Sequence, residues 1–118
     1  MPETITRIQP NHRRSRAVVV GNMVHVGGQF ADNYAGDIAA QTGETLAKLD
    51  ALLAECCSDR SHLVSVTIWL RDMGDFDAMN AVYDAWIDPA NPPTRCCGEV
   101  RMAHDDMRIE ITALARLR

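Results

Sequence analysis

The chain is poor in aromatic residues: two each of Trp, Tyr and Phe make up 5% of its 118 residues. It also contains no run approaching the ~18 consecutive apolar residues of a membrane-spanning helix. The opening Met-Pro-Glu-Thr-Ile-Thr is polar and carries no apolar core of a signal peptide. A cytoplasmic protein with no membrane contact is therefore expected. Basic charge is in deficit, and the net charge of −4 argues against overall attraction to nucleic acid or anionic lipid. With so few aromatics there is no base-stacking platform along a basic groove, which speaks against an RNA-directed activity. Metal patterns are missing as well. His12, His25, His62 and His104 show no ligand spacing, and the cysteines form two adjacent pairs, Cys56-Cys57 and Cys96-Cys97, rather than CxxC. Neighbouring cysteines bridge only through a strained ring, so free thiols in a reducing compartment are expected. Gly27-Gly28 lacks the pattern of a phosphate-binding loop. Neither a metal nor a cofactor is expected.

What is present is ordinary globular composition, 47% hydrophobic and 24% charged. The length suits one domain over residues 1–118, and such a chain buries roughly two-thirds of its unfolded surface. Ile5 to Gln9 reads as a short strand, followed by the polar basic loop Asn11 to Arg16. Ala17 to Val20 and Met23 to Val26 are β-type runs flanking Gly21-Asn22, a hairpin signal, with Gly27-Gly28 breaking the second run. Asp37 is a candidate N-cap. Ile38, Thr42, Leu46, Leu49 and Leu53 then recur at helical spacing, giving a helix to about Cys56. Leu63 to Leu70 is the strongest strand signal. Val64, Val66, Ile68 and Leu70 should share one face, and Ser65, Thr67 and Trp69 the other. Asp75 is expected to cap a second helix carrying Phe76, Met79, Val82, Tyr83 and Trp86, stopped by Asp88-Pro89 and Asn91-Pro92-Pro93. Thr94 to Arg101 and Met107 to Leu114 complete the pattern as two strands.

The order β-β-β-α-β-α-β-β predicts a two-layer α/β sandwich, a mixed sheet with both helices on one face. The other face is then uncovered in a single chain, and an open, partly apolar face on so small a protein suggests self-association.

Two strands hold the residues that could carry chemistry. In Pro93-Thr94-Arg95-Cys96-Cys97-Gly98-Glu99-Val100, alternation sends Arg95, Cys97 and Glu99 to one side. An arginine opening a strand after a Pro-Pro turn is placed to reach into a cleft, where its planar fork can hold a carboxylate. A solvated Arg95, or one paired to Glu99, is the structural alternative. In Arg108-Ile109-Glu110-Ile111-Thr112-Ala113, the carboxylate of Glu110 sits mid-strand and could activate a water, or form a cross-strand salt bridge. Cys97 has no His/Asp arrangement to activate it, so a buried or interface thiol fits it better than a nucleophile. Gly27-Gly28 permits close approach of backbone to a ligand or neighbouring strand. The loop bearing Arg13, Arg14 and Arg16 could attract anions or simply be solvated.

From Ala17 onward the sequence resembles the RidA (YjgF / L-PSP) family. The resemblance is carried by Gly21-Asn22-Met23-Val24, Gly28-Gln29, Gln41-Thr42, Asp72-Met73, Phe76, Met79-Asn80, Tyr83, Pro93-Thr94-Arg95 through Glu99-Val100, and Ile109-Glu110-Ile111. It implies a chorismate-mutase-like fold and a homotrimer with clefts at the subunit interfaces. Deaminase-type members hydrolyse reactive 2-enamine or 2-imino acids to 2-oxo acids and ammonia without cofactor or metal. Carried over by position, Arg95 would grip the substrate carboxylate, the backbone of Cys97 would line the cleft, and Glu110 would place the attacking water. Two positions depart from that pattern. Gly27 stands where a serine is common, and Arg14 where a tyrosine is common, so the cleft loses two hydroxyls and gains a cation. The resemblance thus leaves three functions in play: deamination, hydrolysis of another small catabolic substrate, and non-catalytic binding of a small carboxylate.

Overall fold

The computed structural model describes residues 4–118. Six strands and two helices run in the order β1 (Ile5–Ile8), β2 (Ala17–Val20), β3 (Met23–Gln29), α1 (Ile38–Glu55), β4 (Leu63–Leu70), α2 (Phe76–Trp86), β5 (Thr94–Glu99) and β6 (Ile109–Arg116). Short 3-10 turns at Arg60–His62 and Met73–Asp75 precede β4 and α2. The strands form one sheet in the order β1-β2-β3-β6-β4-β5. Every pairing is antiparallel except β4 with β5, which α2 connects, so the sheet is mixed as the element order predicts. The C-terminal strand lies in the middle, between β3 and β4. None of the helices among the described residues is long and apolar enough to cross a membrane.

The hairpin of β2 and β3 turns on Gly21-Asn22, with Val20 opposite Met23. Gly21 alone of the two has positive φ, 59°, the arrangement of a type II′ turn, which wants glycine first. Helix α1 starts where Asp37 Oδ1 accepts the Ala40 amide at 2.9 Å. Its buried stripe, Leu46, Leu49, Leu52 and Leu53, packs against Val24 and Val26 of β3, Val66, Ile68 and Leu70 of β4, and Ile109 and Ile111 of β6. Burying each such side chain contributes about 1.5–3 kcal/mol. The helix closes on a Schellman motif: Ser58 N donates to Leu53 O at 2.8 Å and Cys57 N to Ala54 O at 3.1 Å. Cys57, with φ 60°, occupies the left-handed position that glycine usually takes.

Three local expectations are corrected. Val64 does not join the apolar face of β4: the register shifts between Leu63 and Ser65, so Leu63 turns inward and Val64 is 44% exposed. Asp75 makes no side-chain cap on α2. Asp72 instead caps the 3-10 turn through Gly74 N at 2.7 Å, and Asp75 Oδ2 lies 3.4 Å from Arg108 Nε. Gly27-Gly28 does not end β3; the strand continues to Gln29 through an irregularity between Val26 and Gln29.

Buried Gln41 on α1 ties the connections together. Its Nε2 donates to the carbonyls of Tyr34, Gly36 and Asp106, while its Oε1 accepts the Arg108 amide at 2.9 Å. The long β3–α1 and β5–β6 loops are thereby held to one helix, and Tyr34 stacks on His104 with ring centroids 4.4 Å apart.

Candidate active-site cleft

Glu110 pairs with Trp69 across the β6–β4 ladder, on the sheet face away from the helices, since its neighbours Ile109 and Ile111 are the buried residues. Its carboxylate lies over Gly28. A Cβ at that position would stand 2.6 Å from Glu110 Oε1 and 2.9 Å from its Cδ, so the absence of a side chain makes the seat. The irregularity in β3 that puts Gly28 there is braced by buried Gln29, whose Nε2 donates to Gly27 O at 3.1 Å. Gly27 N in turn donates to Arg16 O at 2.9 Å, joining β3 to the basic loop.

That loop is built by its own polar groups. Asn11 Oδ1 accepts the amides of Arg13 and Arg14, each at 2.8 Å, and Asn11 N donates to Arg14 O at 2.9 Å. The outcome is a cleft of about 280 Å³ that brings Arg14, Arg16, Gly27, Gly28 and Glu110 together. Lys48 of α1 and Asp32 close one side, paired at 2.6 Å, with Lys48 Nζ 5.5 Å from the centre of the Phe30 ring. The hydrogen bond and charge of Lys48 hold the Asp32 carboxyl below its ordinary range. Glu110 takes part in no ion pair among the described residues, so the cross-strand salt bridge is not formed.

Arg95 lies elsewhere. It pairs with Val66, which faces the helices, so Arg95, Cys97 and Glu99 point to the helix side of edge strand β5. Its guanidinium rests over Tyr83, 4.9 Å from the ring centre, and 5.8 Å from that of Phe76, while Nη1 donates to Asn80 Oδ1 at 2.6 Å. Glu99 is not its partner; Glu99 Oε1 accepts the Met73 amide at 3.1 Å. Arg95 is thus an exposed cation steadied on two aromatic rings of α2, with no carboxylate against it among the described residues.

A family model described as Endoribonuclease L-PSP matches residues 4–117. The chain belongs to the L-PSP (YjgF) family. A YjgF-family protein of Neisseria meningitidis has the same fold with a TM-score of 0.93 at 40% identity, covering 98% of this chain and 96% of that one. The RutC family protein YoaB of Escherichia coli is 35% identical over 112 residues, 95% of this chain and 97% of its own length. The 2-iminobutanoate/2-iminopropanoate deaminase of E. coli K12 is 32% identical over 107 residues, 85% of this chain and 84% of that one.

In this L-PSP family chain the five candidate residues fall into two groups. Arg14, Gly27 and Glu110 share the cleft; Arg95 and Cys97 sit across the sheet, beyond β4 and on its opposite face. All four cysteines are free. Burial pushes the Cys97 thiol up and outweighs the opposing pull of Arg95, so it is not an activated nucleophile. Among the described residues no group of His, Cys, Asp and Glu could hold a metal ion. Sequence reasoning missed the Lys48–Asp32 pair and the closeness of Gly28 to Glu110. Nothing in the spacing announces either, since each joins residues from different elements.

Proposed function

We propose that the protein is a cytoplasmic, cofactor-independent hydrolase that converts small 2-imino or 2-enamine acids to 2-oxo acids and ammonia, in clefts between copies of itself in a homotrimer. The observation that carries this reading is the division of the machinery. The cation suited to a carboxylate and the carboxylate suited to a water lie on opposite faces of one sheet, each without an ionic partner among the described residues. Arg95 of one chain set against the Glu110 cleft of another completes a site that a single chain leaves in halves. The deaminase name of a 32% identical relative supports the same chemistry.

In that site the guanidinium of Arg95 binds the substrate carboxylate through two parallel hydrogen bonds, with the backbone of Cys97 beside it. Tyr83, Phe76 and Asn80 fix the guanidinium in advance, which lowers the entropic cost of orienting the substrate. Glu110 orients a water and takes its proton as the water oxygen adds to the C=N carbon. The proton returns to nitrogen, the C–N bond breaks, ammonia leaves, and the carbon keeps its oxygen as a carbonyl. No oxidant or metal is required by this balance.

Binding of a small carboxylate without turnover is the second reading, favoured by Gly27, which brings no hydroxyl to the cleft. Ammonia release from 2-iminopropionate, generated in situ by an amino-acid oxidase, separates the two. The hydrolase accelerates release and Arg95→Ala abolishes the acceleration while the assembly persists. An Arg95→Ala protein with full activity refutes the role of Arg95, and an inert wild type that still binds carboxylates by calorimetry leaves the binding reading.

A further inference from the structure

The cleft around Glu110 carries more positive charge than its own acids balance. Arg14, Arg16 and Lys48 face Asp32 and Glu110. Asp32 is shared by two of these cations: Lys48 holds it at 2.6 Å and Arg16 acts on it through space. Arg14 is left over. Its guanidinium makes a single contact at 3.4 Å, from Nη1 to the carbonyl of Gln9, at the limit of a hydrogen bond, and it meets no carboxylate among the described residues. The backbone beneath it is not loose, because Asn11 braces the Arg13 and Arg14 amides. A presented, unneutralised guanidinium at a fixed place in a cleft is a recognition element for a planar anion. The walls offer little to an alkyl group: among the described lining residues Phe30 is the one large apolar side chain, the rest being glycines, charged groups, Ser15 and Gln29.

We infer that Arg14 makes the cleft selective for substrates with a second carboxylate, that is, 2-imino acids derived from dicarboxylic amino acids. This rests on the hydrolase reading above, in which Arg95 of another copy takes the carboxylate next to the imine. The distal carboxylate then lies against Arg14, and the two negative charges of the ligand meet two arginines that have no carboxylate against them among the described residues. A charge-assisted bond of this kind at a partly exposed site favours the dicarboxylate about tenfold. Because the contact is solvent-accessible, salt weakens the preference.

The test compares 2-iminosuccinate, generated from aspartate by an aspartate oxidase, with 2-iminopropionate, generated from alanine, in wild type and Arg14→Gln. Arg14 lies on an exposed loop, and thermal melting of Arg14→Gln checks that the fold is intact. Wild type should show a kcat/KM ratio of about ten or more in favour of iminosuccinate, and Arg14→Gln a ratio near one. A wild-type ratio at or below one, or a ratio unchanged by the substitution, overturns the inference. Calorimetry with the corresponding products, oxaloacetate and pyruvate, keeps the two readings apart. Oxaloacetate binding more tightly than pyruvate in wild type but not in Arg14→Gln upholds the role of Arg14 even if neither imine is turned over, in which case only the hydrolase reading falls. Equal binding of the two products overturns the Arg14 assignment whatever the turnover.

Discussion

Gly28→Ala is the substitution that should separate the chemistry of Glu110 from the stability of the sheet. The new methyl carbon would lie 2.6 Å from Glu110 Oε1, 2.9 Å from Cδ and 3.3 Å from Cγ. Carbon contacts settle at roughly 3.5–4.0 Å, so the carboxylate must retreat by about 1 Å. The backbone does not resist, since Gly28 is outside the left-handed region. What it strikes is the end of a flexible side chain rather than main chain. Moving Glu110 off its rotamer costs about 0.5–1.5 kcal/mol, while replacing a strand glycine by alanine returns about 0.5–1 kcal/mol. These nearly cancel, so the melting temperature should move by no more than about 4 °C. Catalysis has no such compensation. A 1 Å displacement of a positioned general base costs about a hundredfold in kcat. On the proposed hydrolase reading KM should change little, because Arg95 would hold the carboxylate independently of Glu110. Circular-dichroism melting beside ammonia release from 2-iminopropionate reads both quantities. Undiminished kcat would show that the carboxylate is not used where it sits. A melting temperature lowered by more than about 8 °C would show that Glu110 cannot swing away, and the reasoning from its flexibility would fail.

Cys57→Gly should stabilise the fold by about 1 kcal/mol, since it relieves a β-carbon from the left-handed position of the α1 Schellman motif. Urea unfolding measures it, and a loss of stability would mean that the Cys57 side chain contributes contacts outweighing its strain. Thr42 is fully buried and its hydroxyl finds no partner among the described residues, so Thr42→Val should be neutral or stabilise by about 1 kcal/mol in the same assay. A destabilisation beyond about 1 kcal/mol would point to a hydrogen bond satisfied by buried water. The Cys97 thiol, raised above the ordinary thiol value of 9.0 by burial, should be alkylated slowly at neutral pH and faster as the pH rises past 9.0, followed by peptide mapping. Rapid modification at neutral pH would instead mark an activated thiolate.

Helix α1 and the hairpin at Gly21-Asn22 were legible residue by residue, because each depends on short-range rules: a 3.6-residue apolar period behind an Asp cap, and a glycine where φ must be positive. The end of β3 was not. Gly27-Gly28 looks like a break from inside the strand, but β6 supplies the ladder that carries it on to Gln29. Plain alternation puts Val64 on the wrong face for a related reason. A one-residue shift of register reverses a side chain, and the shift is set by the pairing of β4 with β6, where Ser65 lies opposite Leu114, far along the chain. Asp75 had the residue type of a cap but was drawn toward Arg108, a competitor invisible to local reading.

The same division runs through the site. Residue type and alternation alone single out the candidates, an arginine opening a strand and a carboxylate within one, and the sequence is enough to assign the family. Tertiary structure alone decided how they are grouped. Inserting β6 between β3 and β4 lays Glu110 over Gly28 and beside the basic loop, while the parallel pairing of β5 with β4 turns Arg95 to the helix side, onto Tyr83. Strand order and register are long-range properties, settled by which apolar faces bury best together, and no window of sequence contains them.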